Sequence, residues 1–217
     1  MFMQQNMIKT DAIFFDVDGT LWDSTEQVAV TWKQVCLEAG LPADHITGER
    51  MKQEFGKLME DIAVSLFPTA DRDKMIYLLR ECTLRENDDL RKNPPPLYEG
   101  VRDLFIRLKE RGIPVIIISN CQAGYIEVLI DSHELGPYIT DHFCPGDTGL
   151  DKADNIRLAM NKYNYKAPVY VGDTAGDAAS AAKAGVPFVY AAYGFGSVTD
   201  PDYSVQKPID IAALPVF

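Results

Sequence analysis

The apolar run Ala12–Val17 ends in acid. AIFFDV is followed at once by Asp18-Gly19-Thr20, so Asp16 and Asp18 stand two residues apart where the run stops. A short apolar and aromatic run between polar residues predicts a buried strand. Carboxylates at the end of such a strand are costly to desolvate unless something pairs with them. An ordinary Asp-Gly turn explains Asp18-Gly19 but leaves Asp16 without a role.

The strand pattern recurs at Ile113–Ser119, Ala167–Gly172 and Val186–Ala191, and more weakly at Tyr138–Cys144. Helical patterns lie between these runs. Val101, Leu104, Phe105 and Leu108 share one face of Val101–Arg111, with Gly112 as a stop. Asn155–Tyr163 repeats the same period, and the Ala-rich stretch Ala178–Ala184 ends at Gly185. Strands alternating with helices predict βαβ units and a Rossmann-like α/β core, an open parallel sheet flanked by helices. Ligands in such sheets sit outside the carboxyl ends of the strands.

Residues Ser24 to Asn93 break the alternation, with no strand-like run. Three amphipathic patterns fill them: Val28, Trp32, Val35 and Leu37; then Phe55, Leu58, Met59, Ile62, Ala63 and Leu66; then Met75, Leu78, Leu79, Cys82 and Leu84. Asn93-Pro94-Pro95-Pro96 closes the segment as a stiff linker. The division expected is a core of residues 1–22 and 94–217, with an inserted all-helical cap of residues 23–93 acting as a lid.

Composition narrows the function. The chain carries 21 basic and 32 acidic residues, a net charge of −11. A surface so negative repels nucleic-acid backbones and anionic membranes. An anionic substrate would need a local cation, most simply a metal ion. No apolar stretch is long enough to span a membrane, and Met1–Asp11 shows neither a signal nor a transit pattern. Cys36, Cys82, Cys121 and Cys144 form no CxxC pair, which suits a reducing cytoplasm. These features fit a monomer or a small homo-oligomer.

Three later features complete the chemistry. Ser119-Asn120 ends the second strong strand run, where a hydroxyl and an amide can donate to a bound oxyanion. Lys152 precedes the Asn155–Tyr163 pattern, where an ammonium opposes the helix dipole unless an anion shares the site. Gly172-Asp173-Thr174-Ala175-Gly176-Asp177 ends the third run with two more acids. Singly, each has a plainer reading: a polar loop start, a solvated lysine, a helix cap. Their succession on strand ends brings them to one sheet edge. The acids suit a hard divalent cation, Mg²⁺ rather than zinc, and the serine and lysine suit the oxygens of a phosphoryl group. A carboxylate in that setting is a nucleophile for phosphoryl transfer. Gly194-Phe195-Gly196 reads as a turn, and Gly56-Lys57 as a turn of the insert that could bring Lys57 to a negative group on the substrate.

Asp16-Val17-Asp18-Gly19-Thr20-Leu21, Ser119-Asn120, Lys152 and Gly172-Asp173-Thr174 with Asp177 together resemble the four motifs of the haloacid dehalogenase-like hydrolases. The insert and the tail, Asp202–Val205 followed by Pro208–Leu214, are similar to the phosphoglycolate-phosphatase-like branch. The resemblance implies that Asp16 attacks phosphorus and Asp18 protonates the leaving oxygen. It implies Mg²⁺ held by Asp16, the Asp18 carbonyl and Asp173, supported by Asp177, and phosphoryl oxygens held by Ser119, Asn120 and Lys152. It also marks Asp18 as the residue that separates phosphatases from true dehalogenases, because a departing halide needs no proton. The expectation is a Mg²⁺-dependent phosphatase of a small phosphorylated metabolite. A sugar phosphomutase uses the same intermediate, and a phospho-aspartate signalling module shares the acidic pocket.

Overall fold

The computed structural model describes residues 10–214. The leaderless reading of Met1–Asp11 therefore falls mostly outside the described residues. Six strands form one parallel sheet in the order β3-β2-β1-β4-β5-β6. They are β1 (Ile13–Phe15), β2 (Val115–Ile118), β3 (Asp141–Phe143), β4 (Val169–Gly172), β5 (Phe188–Ala191) and β6 (Tyr203–Val205). The central strands are fully buried, because both faces of the sheet are covered. Ile13 and Phe15 point into one core, where Phe15 meets Phe105 edge-on at 5.4 Å, and Phe14 points into the other. The flanking helices are α5 (Val101–Glu110), α6 (Tyr125–Ser132), α7 (Pro145–Thr148), α8 (Lys152–Tyr163) and α9 (Ala175–Ala184). Each strand is shorter than its apolar run; Pro114, for instance, has no N–H to offer the ladder, so β2 begins after it. His142 lies in β3, partly buried.

Between β1 and α5 the chain forms α1 (Thr25–Glu38), α2 (Gly48–Glu54), α3 (Met59–Leu66) and α4 (Arg72–Lys92). α1 packs on α2 and α4, α3 packs on α4, and α4 reaches α6 of the core. The insert leaves and returns side by side: Trp22 bridges Leu97, and the Tyr98 N–H donates to Leu21 O at 2.9 Å. The pattern expected as one helix from Phe55 to Leu66 is interrupted. Gly56 takes φ +87°, a left-handed conformation open to glycine, and Leu58 is extended before α3 starts. Leu37 and Leu84, expected on buried stripes, are exposed. No helix of the described residues is long and apolar enough to cross a membrane.

The sheet order places the site. β1 has β2 on one side and β4 on the other, so the chain turns away from β1 in opposite directions at this point. That switch opens a crevice at the carboxyl ends of the strands. Asp16 follows β1, Ser119 follows β2 and Asp173 follows β4.

Candidate active site

The centre is a buried lysine held by two carboxylates. Lys152 is the first residue of α8, one turn earlier than the apolar pattern indicates, because the Asp151 side chain caps the helix by accepting from the Asp154 N–H at 2.9 Å. Its side chain is 2% exposed, so it is not a solvated surface lysine. Nζ donates to Asp16 Oδ1 at 2.9 Å and to Asp177 Oδ1 at 2.5 Å, and lies 5.7 Å from the centre of the Tyr170 ring. Burial alone would lower the lysine's pKa, but Asp16 and Asp177 hold it well above the usual value. The unfavourable dipole of the helix start is offset by these two anions.

Asp16, Asp173 and Asp177 are all buried, and each can bring one oxygen within 4.8 Å of the others. Burial, then the charge of Asp177, push Asp16 up to about 6, against the pull of Lys152 and the Ser119 hydroxyl. Asp173 rises to about 7 through burial and the charges of Asp177 and Asp16. Asp177 stands buried in the first turn of α9. Its Oδ2 accepts from the Thr174 N–H at 3.0 Å and Oγ1 at 2.6 Å, closing a capping box on α9. Asp173 Oδ1 is buried with no hydrogen-bond partner among the described residues, and it belongs to this all-oxygen group. A buried carboxylate oxygen without a partner is a ligand that a hard cation would take, and the all-oxygen donor set fits Mg²⁺.

The other oxygen of Asp173 shows what the sequence concealed. Oδ2 accepts the N–H of Phe195 at 2.7 Å and, more weakly, that of Gly196 at 3.3 Å. Gly194-Phe195-Gly196 is therefore no idle turn. A Cβ on Gly194 would stand 2.3 Å from the Gly19 carbonyl oxygen and 2.4 Å from Asp173 Cβ. The loop needs glycine to come this close. Gly194→Ala should cost about 1–3 kcal/mol through overpacking and should weaken Mg²⁺ binding as well. Thermal melts with and without Mg²⁺ check this; an unchanged response to Mg²⁺ would free Asp173 of any dependence on the loop.

Asp18, half-buried, lines the same cavity as Asp16. Its Oδ1 accepts from Trp22 Nε1 at 3.0 Å, Ser24 Oγ at 2.7 Å and Tyr125 OH at 2.8 Å. Burial pushes its carboxyl to about 8; the hydroxyls of Ser24 and Tyr125 oppose this, and the charges of Asp16 and Glu86 add to it. With Oδ1 occupied by donors, Oδ2 is the oxygen that carries a proton near neutrality. Nothing in the first motif signals these partners, which come from the chain's exit into the insert and from α6.

The insert closes over this group. A cavity of about 30 Å³ remains, with Asp16, Asp18 and Ser119 on the core side and Trp32, Phe55, Met59, Ile62 and Glu86 on the insert side. That is room for a couple of waters. Asn120, expected to face a phosphoryl group, donates from Nδ2 to the Gly56 carbonyl at 2.9 Å and so ties core to insert. Phe55 and Phe195 meet across the same seam with ring centres 6.5 Å apart. Lys57 is placed otherwise than expected. Its ammonium holds Glu54 at 2.7 Å, its side chain is 47% exposed, and it does not line the cavity. The turn at Gly56 presents a backbone carbonyl to the core and carries the lysine away from it.

A buried lysine bridging two acids, three clustered carboxylates with a fourth beside them at the sheet's carboxyl edge, and a helical insert over them define a class. The family model of haloacid dehalogenase-like hydrolases matches residues 13–191, and the chain belongs to that family. A phosphoglycolate phosphatase from Vibrio parahaemolyticus serotype O3:K6 is 25% identical over 98% of this chain and 99% of its own. The pyrophosphatase PpaX of Listeria monocytogenes serotype 4a is 27% identical over 95% of this chain and 96% of its own. The crystal structure of a predicted phosphoglycolate phosphatase from Haemophilus somnus 129PT superposes with a TM-score of 0.83 at 18% identity, covering 95% of this chain and 98% of that one. Over most of its length the chain is also similar to a phosphoglycolate phosphatase from Photobacterium profundum, at 28% identity over 90% of this chain and 91% of that one.

Proposed function

We propose that this protein is a Mg²⁺-dependent phosphatase of a small phosphorylated metabolite, working through a phosphoryl group carried on Asp16. The observation that carries the reading is the pair of unlike acids in one shielded crevice. Asp16 is held by Lys152 and ionised near pH 7, whereas Asp18, two residues on, keeps its proton to about 8. Two carboxyls with separated pKa values are what nucleophile and general acid require. Asp16 attacks phosphorus while Asp18 protonates the departing alkoxide. Asp18, now ionised, takes a proton from the water that releases phosphate. Ser119 and Lys152 orient phosphoryl oxygens. Asp16, Asp173 and the Asp18 carbonyl would hold Mg²⁺, with Asp177 behind them; when bound, the ion neutralises the charge of the transferring group. The insert, residues 23–93, serves as the cap that keeps bulk water out. Four free buried thiols favour a reducing cytoplasm.

The test is release of phosphate from a panel of phosphorylated metabolites. Chelator should abolish it and Mg²⁺ should restore it. Ca²⁺, with longer bonds and looser coordination, should restore little. Full activity in excess chelator would overturn the metal assignment. Steady release over many turnovers separates a phosphatase from a phosphomutase, which returns the group to a sugar hydroxyl, and from a switch phosphorylated once.

A further inference from the structure

The wall of the cavity opposite Asp16 carries one acid, Glu86, whose carboxyl is pushed up to about 7 by burial, against the hydrogen bonds from Gln122 and Trp32. Glu86 of α4 lines the cavity and is 4% exposed. Its Oε2 accepts from Trp32 Nε1 at 2.5 Å and its Oε1 from Gln122 Nε2 at 3.0 Å. No lysine or arginine lines the cavity among the described residues. A carboxylate has about four acceptor positions, and these two bonds leave the rest for a ligand. Glu86 is near enough to Asp18 for its charge to raise that carboxyl. A buried acid on the apolar stripe of Leu78, Cys82 and Leu90 is costly unless something exploits it.

We propose that Glu86 selects the substrate: the group leaving phosphorus is a small alcohol that offers a hydroxyl or ammonium donor to Glu86 and carries no carboxylate. This inference rests on the phosphatase reading and sharpens it. Asp16, Ser119 and Lys152 take the phosphoryl end, so the leaving portion extends toward the insert. A carboxylate there, as in phosphoglycolate, would face Glu86 with no cation to pair with. An ammonium or hydroxyl would complete the buried acid's bonding. Discrimination of this kind works by repulsion as much as by attraction.

The experiment compares kcat/KM of the full chain with Mg²⁺ on four probes: phosphoethanolamine, glycerol 1-phosphate, phosphoglycolate and p-nitrophenyl phosphate. The amine or the polyol ester should exceed phosphoglycolate at least tenfold. In Glu86→Gln the ratio of phosphoethanolamine to phosphoglycolate should fall roughly ten- to a hundredfold, the loss expected of one charge-assisted hydrogen bond. The glycerol ester should lose less, so the two probes separate an ammonium ligand from a hydroxyl. Phosphoglycolate matching or exceeding the other esters in the wild type would overturn the proposal, and this needs no variant to fold. An unchanged ratio in a folded Glu86→Gln would overturn it too, leaving Glu86 as a structural partner of Trp32. If even p-nitrophenyl phosphate is not hydrolysed, the phosphatase reading fails first and the inference falls with it.

Discussion

Asp16→Asn should be inactive, with turnover reduced by at least about 10⁴-fold, yet folded. The amide is nearly isosteric with the carboxylate. It cannot attack phosphorus, and Lys152 keeps its second partner, Asp177, at 2.5 Å. The substitution also removes one of the mutually repelling charges that raise Asp16 and Asp173. Its melting temperature without metal should therefore stay within a few degrees of wild type. Loss of activity with loss of fold would say nothing of chemistry, so circular dichroism accompanies the assay. Activity within tenfold of wild type in a folded variant would remove Asp16 from the reaction.

Asp18→Asn should lose about 10²–10⁴-fold, the usual worth of general acid–base catalysis, and the loss should depend on the substrate. An alkyl alcohol leaves as a strong base and needs the proton, whereas p-nitrophenolate barely does. The deficit should therefore be larger for alkyl esters. The same group gives the pH profile its alkaline limb. The Asp18 proton is favoured by the fold, being retained to about 8 where an exposed aspartate ionises near 4. Hydrolysis of alkyl esters should therefore fall as pH rises through about 8. The sign for stability is the same: a carboxyl whose pKa rises on folding favours the native state below its unfolded value and ceases to do so above the folded one. Equal losses for aryl and alkyl esters, with no alkaline limb, would assign Asp18 to structure alone.

The sequence made the sheet and its acids legible for a physical reason. Strands covered on both faces are continuous apolar runs, and Asp16 and Asp173 stand out because they end such runs. Register and length were less visible, since Pro114 and the helix and strand ends trim each run from outside. Taken singly, Lys152 reads as a surface residue, and only its place in the succession of strand-end motifs brings it to the site, because burial of a lysine depends on acids 136 and 25 residues away in the chain. The Gly194–Gly196 loop was opaque for a similar reason: what it touches, Asp173, lies across β5 in sequence. The break at Gly56 left a helical period intact on both sides, so periodicity could not expose it. Glu86 did leave a trace. Leu78, Cys82, Glu86 and Leu90 recur every fourth residue on one buried face of α4, and a lone acid in that series marks a place where the core is not purely hydrophobic.

The central claim is that a phosphoryl group passes through Asp16, and reductive trapping tests it most directly. Borohydride added during turnover reduces an aspartyl phosphate to homoserine at the residue that carried it. Peptide mass spectrometry should find homoserine at position 16, dependent on both substrate and Mg²⁺, and none at Asp18, Asp173 or Asp177. Phosphate release in the presence of borohydride with Asp16 unmodified, or with the label on another acid, would contradict the account.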